Sequence, residues 1–275
     1  MLKFEKLLVG ITFFHYNNNE RYEILRKISE NLDELCKNIK IIIITVPIDD
    51  TIKAKIINCF KDNFDIQITE KNINSDPYLL TWEHLKLFKQ HFENDFSISH
   101  FLYLEDDHIM TKINMEYWLK SREELKPAGL IPSFLRYEKK NDDENLYLTD
   151  LVEPLEINQL CKVIISSEYG FFNVPSQQLA YQGIYLLDRE LAKEHFYSNS
   201  FNPGLHGGIW GIREGATQGV TFLNVPKGFI TRNVVKFNIE KKIIDQAVLI
   251  HHAPNNYAND LSSRHGKLSY SELLI

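Results

Sequence analysis

The run Phe101-Leu102-Tyr103-Leu104-Glu105-Asp106-Asp107-His108 carries an apolar segment straight into three consecutive carboxylates. Neighbouring carboxylates repel one another, and a bound divalent cation is the simplest way to relieve that repulsion. In an extended segment, residues i and i+2 point the same way, so Glu105 and Asp107 would share one face and Asp106 would take the other. The end of a strand in an open α/β sheet is also where such sheets bind ligands. A solvated acidic turn after a buried strand would have the same spelling.

Four further groups could carry chemistry. Val248-Leu249-Ile250 runs into His251 and His252, then Ala-Pro-Asn-Asn-Tyr. Adjacent strand residues face opposite ways, so one of the two histidines could join carboxylates around a Mn²⁺-like ion. A core histidine bonded to backbone is the plainer reading. In Gly207-Gly208-Ile209-Trp210-Gly211-Ile212-Arg213-Glu214, the glycines let backbone approach a ligand and Trp210 offers a flat surface to a sugar. Glu214 is a candidate general base, or an acid placed favourably at a helix start. Arg213 could equally pair with a carboxylate.

Asp76-Pro77-Tyr78 reads either as a helix cap or as a group near a nucleotide base or acceptor. His15, Tyr16 and Arg21 follow the first strand, where an α/β site meets base and phosphate. Ordinary loop polarity, with Arg21 on a solvated helix face, competes with that reading. Tyr137, Phe172, Gln182 and Trp210 are further candidates to line an acceptor cleft. The basic cluster Arg264-His265-Gly266-Lys267 could fold over a diphosphate or lie in an exposed tail.

These groups need a scaffold, and the first 110 residues spell one. Strand patterns at Leu7–Phe14, Ile39–Val46, Phe64–Thr69 and His100–Leu104 alternate with helical patterns at Asn19–Lys37, Ile52–Phe60 and Pro77–Phe92. This rhythm predicts an α/β fold with a Rossmann-like, mostly parallel central sheet flanked by helices. No Gly-x-Gly-x-x-Gly or Walker loop follows the first strand, which argues against ordinary dinucleotide and P-loop binding. The second half predicts a smaller β region. Strands are expected at Leu130–Tyr137, Val163–Ser166, Tyr169–Val174, Gly183–Leu187 and Ala247–Ile250, with helices over Asp188–Tyr197 and Gly211–Gly219. Glu138–Asn145 reads as an exposed, mobile charged loop. The expected organisation is a single domain over 1–275. Its halves are a nucleotide-binding half to about 110 and an acceptor half over about 111–257, with a tail over 258–275.

Bulk properties narrow the function. A chain of 275 residues with 44% hydrophobic and 12% aromatic residues can bury a substantial core. A net charge of −6 argues against nonspecific nucleic-acid binding. Cys36, Cys59 and Cys161 show neither metal spacing nor a disulfide framework and read as buried thiols in a reducing compartment. No segment approaches the ~20 apolar residues of a membrane span. The opening residues lack a small-residue cleavage site and read as a first strand rather than a leader. A cytoplasmic location is expected, with peripheral contact at the inner membrane left open.

Taken in order, these motifs resemble metal-dependent glycosyltransferases of the GT-A fold, of the bacterial surface-polysaccharide type. Glu105-Asp106-Asp107 looks like their Asp-x-Asp motif in a Glu-Asp-Asp form. His252 before Ala-Pro-Asn-Asn-Tyr looks like their late histidine. Asp76-Pro77-Tyr78-Leu79-Leu80-Thr81-Trp82 and Trp210-Gly-Ile-Arg-Glu-Gly-Ala look like segments of bacterial members, and the resemblance spans Leu7 to Tyr257. It implies a nucleotide-sugar donor, usually a UDP-sugar, held through Mn²⁺ or Mg²⁺. Asp107 and Glu105 would bind the metal, with His252 completing the shell and His251 as fallback. Glu105 or Asp106 would meet the ribose or a metal-bound water. His15, Tyr16, Arg21 and Asp76 would complete the donor site, and Gly208, Trp210 and Arg213 would meet the acceptor. Glu214 matches the position of the base in inverting members.

The expected function is therefore a hexosyltransferase moving a hexose from a UDP-sugar to a hydroxyl of a bacterial glycan, lipopolysaccharide or capsule, with inversion. Three alternatives remain: a retaining transferase, a nucleotidyltransferase and a non-catalytic nucleotide- or glycan-binding protein. A nucleotidyltransferase would typically show a Gly-rich basic loop after the first strand, and His15-Tyr16-Asn17-Asn18-Asn19 is not that loop.

Overall fold

The β-branched and leucine-rich runs that spell strands form a parallel sheet in the computed structural model. It describes residues 6–14, 19–73, 77–141, 143–174, 183–202 and 212–275, with backbone alone for 77 and 212–214. The chain divides into two compact units, Met1–Lys112 with Gly183–Val220, and Ile113–Gln182 with Thr221–Ile275. The first unit takes the opening segment to Lys112 and is completed by Gly183–Val220. The return of 183–220 to that unit was not legible locally, because it depends on strand pairing across 80 residues.

In the first unit, β1 (Leu7–Thr12), α1 (Asn19–Leu35), β2 (Ile39–Thr45), α2 (Asp50–Ile57), β3 (Asp65–Glu70), α3 (Glu83–Asn94) and β4 (His100–Glu105) follow the expected alternation. The later segment adds β5 (Ile184–Asp188) and α4 (Arg189–Phe196). The strand order is β5-β4-β1-β2-β3. β1 pairs in parallel with β2 and β4, β2 pairs in parallel with β3, and β5 runs antiparallel to β4. The mostly parallel sheet expected from the sequence is present. Leu7, Leu8, Val9 and Ile11, Ile41 to Ile44, and Phe101 to Leu104 have no exposure, as strands covered on both faces require. Every residue of the edge strand β3 is exposed or half-buried.

Local chemistry sets the helix ends. Asp49 caps α2, accepting from the Ile52 amide at 2.8 Å, and Asp188 caps α4, accepting from Leu191 at 2.7 Å. The single helix expected over Pro77–Phe92 is instead a 3₁₀ turn, Pro77–Trp82, followed by α3. Gly10 lets α3 lie close on β1, since a Cβ there would stand 2.9 Å from the Phe88 ring.

The second unit is built mainly from short antiparallel pairs. Tyr169–Asn173 pairs with Lys162–Ile164 and Asn233–Asn238. Leu135–Lys139 pairs antiparallel with Leu146–Leu148 and parallel with Leu249–His252. The strand expected over Leu130–Tyr137 breaks into Ile131–Pro132 and Leu135–Lys139. Pro132 has no N–H to continue a ladder. Asn114 donates to the carbonyls of Ala247 and Leu249 at 2.8 and 2.9 Å, tying a helix to the strand that carries His251 and His252.

Three expectations need correction here. Glu138 is not the start of an exposed loop: it lies in a strand with no exposure. Cys36 and Cys59 are buried, but Cys161 is exposed. The C-terminal segment is not a loose tail. Leu268–Ser269 pairs with the Leu146–Leu148 strand, and Leu273 is fully buried. Lys267 Nζ donates to the carbonyls of Tyr257, Ala258 and Asp260, each at 3.0 Å, so that cation is spent on backbone rather than held out for a diphosphate. Among the described residues, no helix is long and apolar enough to cross a membrane.

Candidate metal and nucleotide site

The strand order reverses direction beside β1, which has β2 on one side and β4 on the other. In open α/β sheets, ligands bind outside the carboxyl ends of the strands at such a point. The acidic triplet stands at the end of β4. The chain leaves the strand at Glu105, turns over Asp106 and Asp107, and becomes extended again at His108. The turn cancels the strand alternation on which the shared face of Glu105 and Asp107 was expected. It brings Glu105, Asp107 and His108 together instead, each offering a ligand atom within 4.8 Å of the others.

His108 has no exposed surface, and its Nδ1 lies 2.6 Å from Asp107 Oδ1. Gly183 completes the corner. Its amide carbonyl accepts from the Glu105 N–H at 3.0 Å. Its φ of +48° favours glycine. A Cβ there would meet Glu105 Oε2 and His108 Nε2, each at 2.9 Å, and His108 Cε1 at 2.7 Å.

Arg21, at the start of α1, supplies the opposing charge. Its Nη1 donates to Asp106 Oδ1 at 3.0 Å and to Asp107 Oδ2 at 3.1 Å. Asp106 Oδ2 is buried without a hydrogen-bond partner among the described residues. Burial, then the neighbouring Asp107 charge, pushes the Asp106 carboxyl well above its ordinary range, against the pull of Arg21. A buried carboxylate oxygen left unmatched is costly. The donor set fits a divalent cation: two carboxylates, an imidazole and an unmatched oxygen beside them.

Of the expected donor residues, Arg21, Glu105, Asp106 and Asp107 come together. His15, Tyr16 and Asp76 lie outside the described residues, as do the acceptor candidates Gly208 and Trp210, and Gln182. Arg213 and Glu214 fall in the helix Ile212–Gln218 of the first unit, and their side chains are outside the description. Phe172 is fully buried and offers no surface to a cleft.

The expected metal ligand His252 belongs to the second unit, where it is 5% exposed. Its Nδ1 lies 2.5 Å from Glu138 Oε1, and Glu138 Oε2 accepts from the Ala258 amide at 2.6 Å. His251 stacks on Tyr137, with centroids 5.0 Å apart, and its Nε2 lies 3.0 Å from Asn255 Oδ1. Sequence reasoning missed His108 and Gly183. The histidine directly after the triplet and the lone glycine before an apolar strand were the available signals.

No protein-family model and no curated protein matches the chain. Among solved structures, it is similar to a 4-diphosphocytidyl-2C-methyl-D-erythritol synthase from Anaerococcus prevotii. That match has 15% identity over 71% of this chain and 77% of that one, with a TM-score of 0.36. It is also similar to a CMP:2-keto-3-deoxy-manno-octonic acid synthetase complexed with CTP. Here identity is 10% over 69% of this chain and 77% of that one, with a TM-score of 0.38. At these levels neither similarity assigns a chemistry to this chain.

Proposed function

We propose that the first unit carries a metal-dependent transferase site for a nucleotide-activated substrate, and that the reaction is hexosyl transfer from a UDP-sugar to a glycan hydroxyl. The observation that carries this reading is the gathering of Glu105, Asp107 and His108 at the end of β4, where the strand order reverses. A divalent cation bound there supplies a Lewis acid for the departing diphosphate. Arg21 neutralises Asp106 and Asp107 and is placed to attract phosphate. Glu214 is the proposed base that takes the acceptor proton. The glycan acceptor and inversion rest on the motif resemblance.

Nucleotidyl transfer is the second reading. A guanidinium following the first strand and lying at the acidic residues is the charge a triphosphate would need.

One assay separates the readings. The protein is incubated with a panel of UDP-sugars, with Mn²⁺ or with chelator, beside Asp107→Asn. A parallel arm supplies nucleoside triphosphates with sugar phosphates and reads pyrophosphate. Metal-dependent UDP release that is lost in the variant supports glycosyl transfer. Pyrophosphate release alone selects nucleotidyl transfer. UDP binding without either product, unaffected by metal, sinks both and leaves a binding protein.

A further inference from the structure

His108 belongs to the acidic group by position, and its neighbours differ from those of another buried histidine in the same unit. His84 is also without exposure, but its Nδ1 lies 2.5 Å from the Thr81 carbonyl and its Nε2 lies 2.5 Å from the Tyr185 hydroxyl. Those are neutral partners, and the ring is held as core. Burial lowers its pKa well below the ordinary value, so it stays uncharged. His108 instead sits between carboxylates. Its Nδ1 is 2.6 Å from Asp107 Oδ1, while its Nε2 and Glu105 Oε2 crowd the point where Gly183 would carry a Cβ. One ring therefore spans the two carboxylates of the proposed cation site, and glycine keeps that point free of a side chain.

We infer that His108 is itself a ligand of the cation, so that the site takes a first-row transition ion such as Mn²⁺ in preference to Mg²⁺. The inference rests on the proposal that this group holds a cation, and it goes further by placing the His108 nitrogen on the ion itself and by choosing between the ions. Mg²⁺ takes oxygen ligands in near-ideal octahedra and keeps its waters. Imidazole suits first-row transition ions, and mixed nitrogen and carboxylate sets favour them. His108 supplies that donor without any residue of the second unit.

The test is pulsed electron paramagnetic resonance of Mn²⁺ bound to the full chain in nitrogen-free buffer, on wild type, His108→Gln and His252→Gln. Nitrogen coupling of the imidazole type is expected in wild type and in His252→Gln, and is lost in His108→Gln. Mg²⁺ should displace Mn²⁺ only at concentrations about tenfold higher or more. Thermal melting without ion checks that His108→Gln folds. Should it not fold, Gly183→Ala is the second variant, and its Mn²⁺ affinity should fall about tenfold or more, because the methyl meets both His108 and Glu105. Bound Mn²⁺ without nitrogen coupling overturns the inference. So does coupling lost only in His252→Gln, unchanged affinity in Gly183→Ala, or no Mn²⁺ binding to wild type. Nitrogen-coupled Mn²⁺ in a protein that releases neither UDP nor pyrophosphate leaves this inference standing and defeats the transferase reading.

Discussion

The two units each bury a histidine against a carboxylate, and the two arrangements are opposite in kind. In the second unit, Glu138 receives His252 on one oxygen and the Ala258 amide on the other. The Tyr257 ring stacks over His252 with centroids 5.6 Å apart. Both carboxylate oxygens are matched, and a buried polar group so matched costs the fold little. In the first unit, three carboxylates follow one another, Arg21 answers two of them, and a buried oxygen of Asp106 has no partner among the described residues. A matched pair is what a fold keeps for itself. A crowded, incompletely neutralised group is what a fold keeps for a ligand, at some cost in stability.

Four outcomes would break or sharpen that contrast. The largest effect is on turnover. Asp107→Asn should reduce metal-dependent nucleotide release by a factor on the order of 10² or more while melting within a few degrees of wild type. A variant that keeps its rate removes Asp107 from the site.

The next effect is on stability. Glu138→Ala strands the His252 Nδ1 and the Ala258 amide, and should cost about 3 kcal/mol in the second unit. Native-state hydrogen exchange in the strand Leu249–His252 reads this. A loss under about 1 kcal/mol would mean that the pair is not what holds the strand.

Acid is the third probe. Burial lowers the His100 pKa to about 4, and His84 and His91 are lowered as well. A histidine whose folded pKa is depressed binds fewer protons folded than unfolded at intermediate pH. Its contribution is fully present above the unfolded value of about 6.5 and is lost as pH falls toward the folded value. The melting temperature of the first unit should therefore fall steadily from about pH 6.5 to pH 4. A flat profile over that window would contradict the neutral state of these rings.

The smallest effect has the opposite sign. Asp106→Asn removes one of three adjacent charges and retains an oxygen for Arg21. It should stabilise the ion-free protein by about 0.5–1 kcal/mol. Urea unfolding of the ion-free protein decides it. Destabilisation there would show that the triplet is structural, like Glu138, and would erase the contrast.

Legibility followed range along the chain. The buried strands and the helices of the first unit could be read because their signals are local: β-branched runs and helical spacing. The acidic triplet was visible for the same reason. His108 was passed over because alternation in a continuous strand would have set it opposite Asp107, and the turn over Asp106 and Asp107 is not a periodic signal. Glu138 was misread as solvated because its partner lies 114 residues away.

The sequence by itself determined that a parallel α/β sheet would form and that carboxylates would stand at the end of one of its strands. Hydrophobic periodicity and short-range steric preferences suffice for both. Only the tertiary structure decided which groups those carboxylates meet. Arg21 reaches them because β1 and β4 are paired. Gly183 reaches them because β5 runs back along β4. Glu138 takes His252 in the other unit. Each of these contacts joins residues some 80 or more positions apart. Contacts of that range are settled by which surfaces bury and which charges are neutralised, and neither is written in a local pattern.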